Sequence, residues 1–127
     1  MFDHVHLRVG DLEESKRFYR TVLAPLGFDL TTDQPDLVEF GALSLSEEEP
    51  RTSAVHLAFL ARTQAEVGAF HRAGVGAGFR DNGGPGLREY APDYYAAYLL
   101  DPDGHNVEAV HRAAETRASW GWLRWKP

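Results

Sequence analysis

Polar and apolar residues alternate with period two at the start of the chain. In His4-Val5-His6-Leu7-Arg8-Val9, Val5, Leu7 and Val9 fall on one side and His4, His6 and Arg8 on the other. That pattern predicts a half-buried strand. Gly10-Asp11 breaks it, and Asp11 is placed to cap a helix with Glu13 and Glu14 in its first turn. Leu12, Phe18, Tyr19, Val22 and Leu23 give that helix an apolar side, and Pro25 and Gly27 end it. Phe28-Asp29-Leu30 predicts a second strand. Gln34-Pro35-Asp36 predicts a turn, Leu37 to Phe40 a third strand, and Ala42 to Ser46 a fourth. The acidic run Glu47-Glu48-Glu49 before Pro50 reads as a solvated loop.

The order then begins again. Ala54 to Phe59 repeats the alternation, with His56 on its polar side. Thr63 is a cap and Ala65 to Ala73 a helix, closed by Gly74. Asn82-Gly83-Gly84-Pro85-Gly86 reads as a loop. It lacks the strand–GxxxxGK–helix context of a phosphate-binding loop. Tyr95 to Leu100 and Asn106 to Val110 form a hairpin about the tight turn Asp101-Pro102-Asp103-Gly104. The chain is thus a repeat of strand, helix, strand, strand, strand, clearer in element order than in residue identity. One domain over 1–127 is expected. Module 1 spans about 1–50, module 2 about 51–112, and an aromatic tail 113–127 carries Trp120, Trp122 and Trp125.

Composition narrows the function. The absence of Cys excludes thiolate metal sites, disulfides and a Cys nucleophile. A net charge of −6 argues against nucleic acid as a partner, because phosphate neutralisation needs a basic footprint. No segment offers the ~20 apolar residues that cross a membrane. No signal-like start follows Met1, so a cytoplasmic protein is expected.

Chemistry must be sought among six His and the acids. His4 and His56 occupy equivalent places on the polar faces of the strands that open the two halves. Glu108 lies in the last strand, with Val107 and Ala109 turned to the other face. If the halves face each other, two His and one carboxylate converge and leave open positions on a divalent ion such as Zn, Mn, Fe, Ni or Co. The other reading is a hydrogen-bonded strand His beside a paired acid. His6 and Arg8 share the face of His4 and are pocket candidates. His105 is expected to be exposed in its turn, His71 and His111 to lie at the surface or at an interface, and Tyr95 and Tyr98 to pack within the hairpin.

These residues resemble the vicinal oxygen chelate superfamily, which includes glyoxalase I, bleomycin-resistance proteins, fosfomycin-resistance enzymes and extradiol dioxygenases. The resemblance rests on Asp3 to Val9 with Asp11 to Ser15 and Phe18-Tyr19, on His56 to Phe59, and on Asp101 to Glu108, and it covers nearly the whole chain. It implies an α+β fold, two βαβββ modules forming a cup around one divalent metal, with ligands His4, His56 and Glu108 and with Glu108 in the catalytic role. It also implies a homodimer and a small-molecule substrate or ligand. In some members the modules are swapped between chains, and His4 would then join His56 and Glu108 of the other subunit. The fourth ligand of glyoxalase I, a Glu ending the first module, has no match, since that strand reads Ala42-Leu43-Ser44-Leu45-Ser46. The fosfomycin-resistance pattern aligns Arg88, Tyr98 and Arg117 with substrate-binding positions, but its potassium loop is not matched by Glu89 to Asp93. The resemblance therefore implies a metal-dependent lyase, isomerase or related transferase. Its alternative is a protein that sequesters a toxic or antibiotic molecule without turnover.

Overall fold

The period-two face of the first segment becomes strand β1 (Val5–Arg8), with Leu7 1% exposed and His6 and Arg8 open to solvent. The structure, a computed structural model, describes residues 1–112, so Arg117 and the aromatic tail lie outside the described residues. Helix α1 (Leu12–Leu23) follows, and the Asp11 carboxylate accepts the Glu14 amide at 3.1 Å as its cap. A 3-10 turn, Ala24–Leu26, carries Pro25 in its first positions and ends at Gly27, whose φ of 86° is the left-handed conformation that glycine adopts without strain. Strands β2 (Thr32–Gln34), β3 (Leu37–Phe40) and β4 (Leu43–Ser46) complete the first module. The second contains β5 (His56–Leu60), α2 (Gln64–Gly76), β6 (Arg80–Leu87), β7 (Tyr95–Leu100) and β8 (Asn106–His111).

Each module builds one four-stranded mixed sheet, in the orders β1-β4-β3-β2 and β5-β8-β7-β6. In both, the opening strand pairs in parallel with the closing one, and the remaining pairs are antiparallel. The fold is therefore α+β with a repeated βαβββ order. Among the described residues no strand pairing joins the two sheets, so β1 and β5 are each an outer edge. The apolar faces of both sheets turn to the helices, and one core runs through both modules. Phe18 and Tyr19 of α1 are wholly buried, and Phe18 meets the Phe79 ring edge-on with centroids 4.9 Å apart. The Arg17 guanidinium lies over the Phe79 ring, 4.2 Å from its centroid.

Four expectations change. Phe28-Asp29-Leu30 is not strand; pairing begins at Thr32, after the turn that Gly27 makes. The Gly-Pro stretch 83–86 is not a loop but part of β6, where Gly and Pro are tolerated because this is an outer strand with register shifts. Gly74 does not close its helix but lies inside α2, buried, and a Cβ there would stand 2.4 Å from Leu99 Cδ1 and 3.2 Å from Val22 Cγ1. His105 is not exposed; it is 1% accessible.

The glycine at 74 lets α2 approach β7 closely, which yields a prediction. Gly74→Ala gains helix propensity of about 0.5–1 kcal/mol. It also forces a methyl against the fully buried Leu99, and overpacking of that kind costs about 1–3 kcal/mol. Urea unfolding is expected to show net destabilisation. Unchanged or raised stability would show that Leu99 moves aside freely.

Candidate functional site

Alternation along β8 turns Val107 and Ala109 to the core and leaves Glu108 on the opposite face. The parallel register sets Ala58 against Glu108 and His56 against Asn106, so the imidazole leans along the sheet to reach the carboxylate. His56 Nε2 and Glu108 Oε1 are 2.7 Å apart. Glu108 is 1% exposed, whereas the His56 side chain is 54% exposed. The buried acid is thus reached from solvent across an open imidazole. The second carboxylate oxygen, Oε2, accepts a short hydrogen bond from the Tyr94 hydroxyl.

A second phenol frames this acid. Tyr98 stands opposite Glu108 in the β7–β8 register, with Arg88 over its ring at 5.2 Å. Its hydroxyl is buried and has no hydrogen-bond partner among the described residues. Burial first, and the Glu108 charge second, push the Tyr98 phenol well above its ordinary range. Tyr94 shifts the same way, through burial, its bond to Glu108 and the Glu108 charge. Both phenols therefore remain protonated donors at neutral pH. The expectation that Tyr98 packs within the hairpin holds for its ring, which is 8% exposed and clusters with Ala96 and Val110, but the hydroxyl is left over.

His4 lies elsewhere in the chain. Its Nδ1 is 2.7 Å from Asp3 Oδ1, and it opens with His6, Glu39 and Ser44 onto a cleft on the polar face of the first sheet. His6 Nε2 is 2.7 Å from Ser46 Oγ, which in turn reaches Glu48. Arg8 pairs with Glu48 at 3.4 Å. Glu39 accepts from Ser44 and Thr32, and these bonds, followed by nearby His4 and His6, hold its carboxyl below the usual range. The chain thus brings His56 and Glu108 together and sets His4 on the other module. Among the described residues His4 joins no cluster of three ligand-type side chains within 4.8 Å of one another.

One such cluster exists, Asp101, Asp103 and His105. Most of its polar atoms are hydrogen-bonded within the fold, while His105 Nε2 is buried and without a hydrogen-bond partner among the described residues. Asp101 Oδ1 accepts the amides of Asp103 and His105 at 2.9 Å, and Oδ2 accepts the Tyr19 hydroxyl at 2.6 Å. Asp103 Oδ1 accepts the Gly10 amide at 3.0 Å. The Val55 amide donates to His105 Nδ1 at 3.2 Å, which fixes the ring proton on Nε2. The cluster ties the turn to the opening strands of both modules.

For a divalent cation, the donor set of His56 and Glu108 fits. When the proton between them is replaced, the imidazole nitrogen and carboxylate oxygen are the N and O donors that Zn, Mn, Fe, Ni and Co accept. Tyr94 was missed in the sequence, although its place two residues before Ala96 and four before Tyr98 puts it on the same face as Glu108.

Two βαβββ modules, with His4 just before the first strand of one, His56 heading the first strand of the other, and the buried Glu108 in the last strand of the second, define a class, and comparison with known proteins gives the same one. Residues 1–109 match the model of the Glyoxalase/Bleomycin resistance protein/Dioxygenase superfamily. The chain belongs to this superfamily. It is similar to a glyoxalase/bleomycin resistance protein from Albidiferax ferrireducens T118, with 34% identity and a TM-score of 0.74 over 88% of this chain and 99% of that one. It is similar also to a putative glyoxalase from Bacillus halodurans, with 26% identity and a TM-score of 0.69 over 88% and 96%. The fosfomycin resistance protein FosX from Listeria monocytogenes shares the fold at 17% identity, with a TM-score of 0.68 over 92% and 97%. Comparison with curated proteins gives no match. Among the described residues no helix is long and apolar enough to cross a membrane.

Proposed function

We propose that this protein is a divalent-metal-dependent enzyme acting on a small oxygen-rich substrate, as a glyoxalase-like lyase or isomerase or a related transferase. The observation that carries this is the His56 Nε2–Glu108 Oε1 pair, 2.7 Å apart, with a buried carboxylate and an open imidazole. His4 would complete the ligands. Since the chain holds His4 apart from the pair, we infer a homodimer in which His4 comes from a second copy. When bound, the cation would polarise neighbouring substrate oxygens and stabilise the anion that develops on them. The chain's own residues supply the rest. Glu108 holds the compensating negative charge away from water. The protonated Tyr98 hydroxyl, which has no partner of its own among the described residues, offers a hydrogen bond to a substrate oxygen. Arg88 beside it favours an anionic group. His6 and Arg8 would line the opposite wall, and Arg117 keeps its sequence-based role as a further anion contact. We propose a cytoplasmic setting for the protein.

Turnover of small oxygenated carbonyl or epoxide compounds is expected to vanish on chelation and return when a divalent ion is restored. Activity that survives complete chelation would refute the metal reading.

A second reading has its own observation. An apolar cavity of about 500 Å³ lies between the modules, lined by Val5, Leu23, Phe28, Phe40, Leu57 and Phe59 among others. It suits a protein that sequesters a small molecule, and its signature would be tight binding that persists after chelation without turnover.

A further inference from the structure

The hairpin between β6 and β7 is drawn tight where it meets Glu108. The Arg88 amide donates to the Tyr94 carbonyl at 2.7 Å, closing residues 89–93 into a loop, and the Tyr94 amide donates to Ala91 at 3.3 Å. The Tyr94 ring is held from two sides. Tyr90 meets it edge-on with centroids 5.2 Å apart, and the Arg112 guanidinium lies 5.4 Å from its centroid. Backbone and ring are therefore both fixed before the hydroxyl is considered. That hydroxyl donates to Oε2 of Glu108, the oxygen that His56 does not use.

A carboxylate on a flexible side chain has two equivalent oxygens and several rotamers, so an acid meant to ligate a cation gains from a donor that fixes one oxygen and frees the other. Tyr98 stands directly across from Glu108 yet makes no such bond, which leaves Tyr94 to do it. We propose that Tyr94 is a positioning residue for the metal centre: it holds Glu108 by Oε2 and so presents Oε1, together with His56 Nε2, to one cation. The proposal rests on the metal reading above and adds to it the residue that orients the acidic ligand. The loop 88–94 then serves the site through the phenol it delivers.

Cobalt(II) alone is the probe, because its visible absorption reports the ligand field as well as occupancy. The intact protein, Tyr94→Phe and Glu108→Gln are titrated side by side, and thermal unfolding of each metal-free protein is recorded. Tyr94→Phe keeps the ring and its packing and removes only the oxygen. It is expected to bind cobalt about 10–100-fold more weakly than the parent, as loss of an orienting partner does elsewhere. A changed visible spectrum is expected with it, along with a melting temperature close to the parent's. Equal affinity and an identical spectrum in Tyr94→Phe would overturn the proposal, as would tighter binding, which would make the phenol a competitor of the cation. No cobalt binding by the parent would instead refute the metal reading and carry this inference down with it.

Discussion

Glu108→Gln is expected to lower divalent-metal affinity by at least about 100-fold, the upper end of what loss of an orienting partner costs. The fold should survive. The amide has the shape of the acid, its oxygen can still accept from Tyr94 or His56, and removing a buried charge relieves a desolvation cost. What is lost is the negative charge 2.7 Å from His56 Nε2. Turnover is expected to fall to background, since the same carboxylate would balance the cation during reaction. The check is a metal titration and an activity assay beside thermal unfolding. Parent-like metal affinity, or activity in a folded Glu108→Gln protein, would remove Glu108 from the centre.

The second large effect is on stability. Asp101→Ala is expected to cost about 3–5 kcal/mol, because one buried carboxylate accepts three hydrogen bonds and each lost bond leaves a donor costing roughly 1–3 kcal/mol. The three are the amides of Asp103 and His105 and the Tyr19 hydroxyl, which comes from α1 in the other module. Tyr19 is wholly buried, so its hydroxyl cannot turn to water instead. The negative neighbour also matters. Burial, then Asp101, pushes the Tyr19 phenol far up, so it stays a donor across the working range. Asp101→Asn, which retains an acceptor for the two amides, is expected to cost much less, on the order of 1 kcal/mol. Chemical denaturation of the pair of variants tests this. Equal losses would mean that the charge, and not the hydrogen-bond count, holds the turn.

The sequence made some of this legible and hid the rest for physical reasons. The His4 to Val9 and Ala54 to Phe59 alternations translate directly into β1 and β5, because a strand has no other way to bury one side. The caps at Asp11 and Thr63 are equally direct, each side chain accepting an amide three residues on. Phe28-Asp29-Leu30 misled because its apolar residues flank the turn made by Gly27 and do not belong to a pleat. Residues 83–86 misled because their composition describes a loop, whereas their place at a sheet edge tolerates it. His105 misled because turns are usually exposed, whereas here its amide is tied to the buried Asp101 and its ring accepts a bond from Val55, fifty positions away. At the site, the His56–Glu108 pair was legible from matching polar faces. The tie from Tyr94 to Glu108 was not, because it depends on hairpin register and on how far a phenol reaches. The separation of His4 from that pair also lay beyond pattern reading, since alternation fixes which way a side chain points within its sheet but not how the two sheets are set.

Metal content tests the central claim most directly. The protein is purified without added metal or an affinity tag and assayed by elemental analysis beside a His4→Ala, His56→Ala double variant. A cation held by His4, His56 and Glu108 predicts about one equivalent per chain in the parent and its loss in the variant. Little metal in either, with no uptake on adding Mn, Ni, Zn or Fe(II), would contradict it and leave these three as polar residues of a binding pocket.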